Sequence, residues 1–109
     1  MTPEELIDCE HFTFDVTKED IEKAVPGNGS ECPIARAVNR TLGLSLGASS
    51  VGDDTFCVSV RKNDHPFLYL DNYWTVVFEQ PEEASIFISK FDGGLDVEPS
   101  TFTARRITE

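Results

Sequence analysis

Polar and apolar residues alternate along three stretches of the chain, a pattern typical of β-strands that bury one face in a core. The core-facing positions predicted in this way are Phe12, Phe14, Val16, Phe56, Val58, Val60, Trp74, Val76 and Phe78. A further short strand is predicted over residues 102–107. Residues 67–70 are apolar throughout, so we expect a strand covered on both faces. Asp71 and Asn72 would then form a hairpin turn leading to Tyr73.

Apolar residues spaced three and four apart predict three short helices between these strands. Thr17 is a natural N-cap for the first helix, with Asp20 in the position of a capping box, and Pro26 ends it. Ser30 is predicted to cap the second helix, which carries Pro33 in its first turn. The expected buried positions are Ile21, Ala24 and Val25, then Ile34, Ala37, Val38 and Leu42, and finally Ala84, Phe87, Ile88 and Phe91.

Glycines mark the expected ends of the second and third helices, at Gly43 and at Gly93. The Gly/Ser-rich segment 43–55 is expected to be a loop. The resulting order, β-α-α-β-β-β-α-β, predicts an α+β fold with an antiparallel sheet and three short helices. A length of 109 residues suits a single domain over residues 1–109.

The net charge of −11 narrows the classes of partner. Residues 1–31 hold nine acidic and two basic residues, which gives this segment a charge of −7. Residues 63–100 hold eight acidic residues and one basic residue, which gives the same charge of −7. Phosphate contacts need clustered Lys and Arg, so direct binding to nucleic acid or to an anionic membrane is not expected. Such a protein is either simply kept dispersed by repulsion or binds a basic surface of a partner protein.

The cysteines and the sequence motifs give no sign of a cofactor. Cys9, Cys32 and Cys57 have no metal-ligand spacing and predict a reduced, cytosolic protein without a disulfide framework. No apolar run approaches the roughly 20 residues of a membrane helix, and the acidic N-terminal segment does not resemble a signal peptide. Walker, dinucleotide-binding and calcium-loop patterns are absent, so no cofactor and no metal are predicted.

The start of the second helix is the part of the chain most like a binding site. Flexible residues 27–30 precede it, and free N–H groups at a helix start attract anions. The residues predicted to bind a small anionic ligand, such as a nucleotide, are Ser30, Cys32, Arg36, Asn39 and Arg40. In the alternative interpretation, the two arginines pair with surface acids and bind no ligand.

Cys32 lies where the helix dipole favours a thiolate, which raises the hypothesis of a cysteine-dependent enzyme. A nucleophile also needs a base, and His11 and His65 are both distant in sequence. No oxyanion motif is present. We therefore assign no catalytic residue and interpret Cys32 as a small buried side chain.

Aromatic residues cluster around the expected hairpin. Tyr69, Tyr73 and Trp74 are either part of the core or an outward surface for a partner protein. The same surface would serve a homodimer.

Two blocks of sequence resemble a group of small uncharacterised bacteriophage proteins. The first pairs T-x-E-D-I at residues 17–21 with C-P-I-A-x-A at residues 32–37, and the second has F-D-x-G and V-x-P-x-x-F within residues 91–102. The resemblance covers about half of the chain and implies a phage accessory protein in the cytoplasm of a bacterial cell. It implies no known activity. Together with the charge, it predicts binding to a basic surface of a host protein, as an inhibitor or a nucleic-acid mimic, with the small anionic ligand as the alternative.

Overall fold

Five strands and three helices make up the part of the chain that the structure, a computed structural model, describes. The described residues are 9–44, 48–52, 54–61 and 73–107, with the backbone alone for residues 60, 61, 73 and 74. The elements are β1 (His11–Val16), α1 (Lys18–Lys23), α2 (Pro33–Leu42), β2 (Ser49–Val51), β3 (Thr55–Arg61), β4 (Tyr73–Glu79), α3 (Glu82–Asp92) and β5 (Ser100–Arg106). The predicted α+β class is confirmed. None of the described helices has the length and apolar composition of a membrane-crossing segment.

The strands form one antiparallel sheet in the order β1-β5-β4-β3-β2. Strands β1 and β5 pair along their whole length, from His11 opposite Arg105 to Val16 opposite Ser100. Strands β4 and β5 pair over only two residues each among the described positions. The two-stranded unit of β1 and β5 is therefore joined to the other three strands by a short ladder of hydrogen bonds. Helix α2 packs against β1 and β2, and α1 packs against α2.

Seven of the nine predicted core positions are buried on the inner face of the sheet and build an aromatic core, namely Phe12, Phe14, Val16, Phe56, Val58, Val76 and Phe78. The side chains of Val60 and Trp74, the other two, lie outside the described part of the chain. Phe56 and Phe78 stack with ring centroids 5.2 Å apart, and Phe14 meets Phe56 edge-on at 5.7 Å. Phe87 of α3 contacts Phe102 of β5 at 5.6 Å, which fixes that helix to the sheet. Each buried aromatic side chain contributes about 1.5–3 kcal/mol through removal from water, and the contacts between rings add to this.

The capping box predicted for α1 is confirmed, but the helix is shorter than expected. The Thr17 N–H donates to the Asp20 carboxylate at 2.9 Å, and the Asp20 N–H donates to the Thr17 hydroxyl at 3.2 Å. The helix ends at Lys23, so the prediction that Ala24 and Val25 continue its buried stripe is wrong. The Val25 N–H bonds to the Glu31 carbonyl instead, which turns the chain and leaves the Val25 side chain exposed.

The N-cap of α2 is Cys32, and the prediction that Ser30 fills this position is wrong. The Cys32 sulfur accepts the Ala35 N–H at 3.4 Å, while the Ser30 N–H donates to the side-chain oxygen of Asn28 at 3.0 Å. Asn28 thereby forms a local turn that ends before the helix begins. Pro33 is the first helical residue, as predicted. Gly43 ends the helix in the left-handed region at a φ of 69°, also as predicted.

Segment 43–55 is not entirely a loop, because it contains strand β2. The Val51 N–H donates to the Gly29 carbonyl at 2.9 Å, and the strand pairs with β3 along its other edge. A Cβ on Gly29 would lie 2.6 Å from the Val51 carbonyl oxygen, so the 27–30 loop approaches β2 as closely as glycine allows. The strand predicted over residues 67–70 and the Asp71–Asn72 turn lie outside the described residues.

The predictions for helix α3 and for the last strand are confirmed in part. Helix α3 ends at Asp92, directly before the predicted stop at Gly93, and buries Ala84 and Phe87. Ile88 and Phe91 are half-buried, because this face of α3 is covered incompletely. The last strand is confirmed but spans Ser100–Arg106, so it begins two residues earlier than expected.

Candidate functional site

The five residues predicted to bind an anion lie in two different places. Ser30 lies in the turn before α2 and Cys32 caps the helix, close to Asp92 of α3. Arg36, Asn39 and Arg40 line a cavity between α1 and α2, one to two turns further along the helix. The structure therefore does not gather them around a single ligand.

The start of α2 is occupied by groups of the chain itself. The Gly27 N–H donates to the Asp92 carboxylate at 2.9 Å, and the Ala35 N–H donates to the Cys32 sulfur. An acid thus lies beside the loop that was expected to hold a phosphate. Its negative charge and the use of these N–H groups both disfavour a second anion here.

Cys32 is a structural residue in this setting. It is 2% exposed, and burial raises the pKa of its thiol because the thiolate loses its hydration. Backbone N–H groups of Ala35 and Ile34 oppose this effect, whereas the Asp92 carboxylate adds to it. Within the described ranges the histidine is His11, on the far side of the core in β1, and His65 lies outside them. A raised pKa leaves little thiolate at neutral pH, which argues against nucleophilic catalysis.

The cavity between the helices has a volume of about 270 Å³. Its lining residues are Glu19, Asp20, Arg36, Asn39, Arg40 and Leu44. Arg40 Nη2 lies 3.0 Å from Asp20 Oδ2 and also donates to the Asp15 carbonyl at 2.6 Å. Arg40 therefore pairs with an acid, as the alternative interpretation expected, although the Asp20 side chain is only 6% exposed and is not a surface group.

The charges of this ion pair are mutually stabilised. Burial alone would raise the pKa of Asp20, but hydrogen bonds from Arg40 and Thr17 outweigh it and hold the pKa below its usual value. The hydrogen bond to Asp20 raises the pKa of Arg40. Both groups are thus ionised at neutral pH, and neither needs a ligand for charge balance.

Two other donors in the same cavity have no partner among the described residues. Asn39 is 3% exposed, and its Oδ1 accepts the Ser49 hydroxyl at 2.6 Å, yet its Nδ2 makes no hydrogen bond. Arg36 is half-buried, and its Nε is likewise unpaired. Buried donors are nearly always satisfied in folded proteins, so such a pair in one cavity points to a missing acceptor.

A second concave surface, which the sequence did not indicate as a site, lies along α3. A groove of about 430 Å³ runs between α3 and the segment before β5, and a hollow of about 360 Å³ adjoins it. Ile86 is 48% exposed and Leu95 is 62% exposed on this surface. Acids surround them, and the set that we call the α3 surface is Glu82, Glu83, Ile86, Leu95, Asp96 and Glu98.

The sequence did hold a signal for the α3 surface. Ile86 lies off the apolar stripe that the helical spacing predicts, and Leu95 is an isolated apolar residue directly after two glycines. Apolar residues outside a buried stripe are either incidental or part of an interface.

The predicted aromatic surface stays a prediction. Tyr69 lies outside the described residues. Tyr73 and Trp74 begin β4, where their backbones pair with Arg61 and Val60 of β3.

No group of three or more His, Cys, Asp or Glu side chains is placed to hold a metal ion within the described part of the chain. Comparisons with protein-family models, with curated proteins and with solved structures gave no significant match.

Proposed function

We propose that the protein acts by binding a basic surface of another protein through the α3 surface. The observation that supports this most strongly is the placement of four carboxylates around two exposed apolar side chains on one concave surface. Protein interfaces commonly combine an apolar centre with a polar rim in this way.

The charge of the α3 surface sets the chemistry of its partner. Glu82, Glu83, Asp96 and Glu98 line the groove and hollow together with a single base, Lys90. A partner rich in Lys and Arg would be steered to this surface, because opposite potentials accelerate encounter and exclude wrongly charged partners. The same charges repel phosphates, so nucleic acid and anionic membranes fit poorly as direct ligands.

The apolar centre sets the shape of the contact. Ile86 projects from α3 and Leu95 from the turn that follows the helix, and both line the hollow. An aliphatic or aromatic side chain of the partner would be buried between them, while the rim acids pair with its basic residues. Such an anchor, surrounded by weaker polar contacts, is the usual source of binding energy in an interface.

In this proposal the binding occurs in a bacterial cytoplasm, which is what the resemblance to small phage proteins implies. We propose a phage-encoded accessory protein whose target is a host protein with a basic surface. Blocking that surface would make the protein an inhibitor. Where the target normally binds nucleic acid, the carboxylates would stand in for phosphates.

Site-specific crosslinking tests the proposed function. A photoreactive phenylalanine derivative is introduced in place of Ile86 on the α3 surface, or in place of Thr103 as a control. Thr103 is exposed on the outer face of β5, on the opposite side of the sheet from the helices. After irradiation in bacterial lysate, we expect one basic protein to be captured at position 86 and not at position 103, with less capture as salt is raised. Equal capture at both positions, or capture insensitive to salt, would contradict the proposal.

A further inference from the structure

We infer that the cavity between α1 and α2 binds a small ligand through one carboxylate or phosphate group, with Arg36 and Asn39 as the donors. This site lies on a different pair of elements from the α3 surface and does not depend on the function proposed for that surface.

The unpaired donors carry this inference. Asn39 Nδ2 belongs to a side chain that is 3% exposed, and Arg36 Nε is buried in the same cavity wall. The Asn39 amide is oriented by the Ser49 hydroxyl, which donates to its Oδ1 at 2.6 Å. The Asn39 NH₂ group is then the part of the amide that has no hydrogen-bond partner among the described residues. A buried donor that finds no acceptor costs free energy, and an oxyanion supplies acceptors for both groups at once.

The other charged residues of the cavity are paired within the chain, so the positive charge of Arg36 is the one that a ligand could neutralise. Asp20 and Arg40 neutralise each other, and Glu19 lies 2.6 Å from Lys23 Nζ. Arg36 forms no ion pair within 4 Å in the part of the chain that the structure describes, although its charge also acts on the Glu19 carboxylate from a greater distance. A ligand group with a single negative charge therefore restores balance. The nearby carboxylates would repel a polyanion such as a nucleoside triphosphate.

The size of the cavity limits the ligand further. A volume of about 270 Å³ lies just below the roughly 300–1,000 Å³ that small-molecule sites span. Leu44 adds an apolar side chain to the otherwise polar lining. A short-chain carboxylate or a small phosphate ester fits these limits, because it joins one anionic group to a small apolar part.

Nuclear magnetic resonance provides a direct test on the full chain. The Arg36 Nε–H and Asn39 side-chain NH₂ signals are followed while inorganic phosphate is added in one series and butyrate in another. We expect saturable shifts of both side-chain signals in at least one series, and the series that saturates at lower concentration identifies phosphate or carboxylate chemistry. The absence of saturable shifts in both series up to tens of millimolar would overturn the inference and leave a bound water as the partner of these donors.

Two variants show whether the donors themselves bind. Arg36→Met removes the charge and keeps the aliphatic stem, and Arg105→Gln removes a charge from an exposed position on the other face of the sheet. We expect Arg36→Met to weaken the affinity about tenfold or more, as loss of a charge-assisted hydrogen bond does, and Arg105→Gln to change it less than about twofold. Equal effects of both variants would overturn the inference. If Arg36→Met does not fold, the titration of the unaltered protein still decides the question.

Discussion

Arg40 of α2 reaches Asp20 of α1, with Nη2 and Oδ2 3.0 Å apart, and the same carboxylate accepts the N–H of Thr17. Asp20 thus caps the first helix and joins it to the second. Arg40 Nη2 also donates to the Asp15 carbonyl in β1, so one ion pair holds three consecutive elements together. Helix α1 has six residues and is too short to form alone, so its position depends on these contacts.

Replacing Asp20 with alanine is expected to destabilise the protein by about 2 kcal/mol, because the helix cap and the pairing of Arg40 are lost together. Urea denaturation measures this change in the free energy of unfolding. Glu22→Ala is the matched control, since Glu22 is an exposed acid of the same helix, 3.8 Å from Lys18. We expect a change within about 0.5 kcal/mol for the control. Equal losses in the two variants would contradict the role assigned to Asp20.

The stabilisation from Asp20 should also depend on pH. Its pKa in the folded protein lies below the ordinary value of 3.8, so the unfolded chain takes up the proton first as the pH falls. The stability difference between wild type and Asp20→Asn should therefore be fully present at neutral pH, decline as the pH falls towards the ordinary pKa of the carboxyl and be lost once the pH is below the lowered pKa of the folded protein. Urea midpoints across this range measure it. A difference that stays constant with pH would show that the carboxylate charge contributes nothing.

Cys32 should react slowly with alkylating reagents in the folded protein. It is buried and its thiol pKa is raised, whereas Cys57 is half-buried on β3 and serves as the internal comparison. We expect Cys32 to be labelled by iodoacetamide at pH 8 at least about tenfold more slowly than Cys57, as measured by peptide mass spectrometry. Labelling of Cys32 as fast as Cys57 would revive the hypothesis of a reactive cysteine.

The contact between the 27–30 loop and β2 should tolerate no side chain at Gly29. Gly29→Ala places a Cβ 2.6 Å from the Val51 carbonyl oxygen, and the backbone must shift to accept it. We expect a loss of about 2 kcal/mol in the free energy of unfolding. Gly52→Ala is the control, because its Cβ would be 3.4 Å from the Thr55 carbonyl oxygen, which is an ordinary contact. If both variants are equally stable, the close packing of this loop is not needed for the fold.

The local features of the fold could be predicted from the sequence because each depends on a few neighbouring residues. Phe12 and Phe14 alternate with polar residues, and Thr17 and Asp20 have the spacing of a capping box. Strand β2 could not be predicted, because three residues in a Gly/Ser-rich segment carry no strand pattern. It forms because its backbone pairs with β3 on one edge and the Val51 N–H bonds to the Gly29 carbonyl on the other.

The candidate sites were predictable only in part. A spacing of three and four residues predicts that Arg36, Asn39 and Arg40 share one side of α2, and the structure places all three in one cavity. Their separation from Cys32 was not foreseen, because it depends on which turn of α2 faces α1. The position of Asp92 beside Cys32 likewise depends on how α3 packs, which no local pattern specifies.

Two variants of equal net charge show whether a basic partner binds to the α3 surface itself. One combines Glu83→Gln, Asp96→Asn and Glu98→Gln on the α3 surface, and the control combines Glu10→Gln, Glu19→Gln and Glu22→Gln at exposed positions before β1 and on α1. Each loses three negative charges, which changes the net charge from −11 to −8.

The measurement is the dissociation constant of each variant for the protein that crosslinks at position 86. We expect the α3-surface variant to bind about tenfold more weakly or worse and the control to bind within about twofold of wild type. Equal weakening in both variants would show that overall charge, and not this surface, mediates binding and would contradict the account.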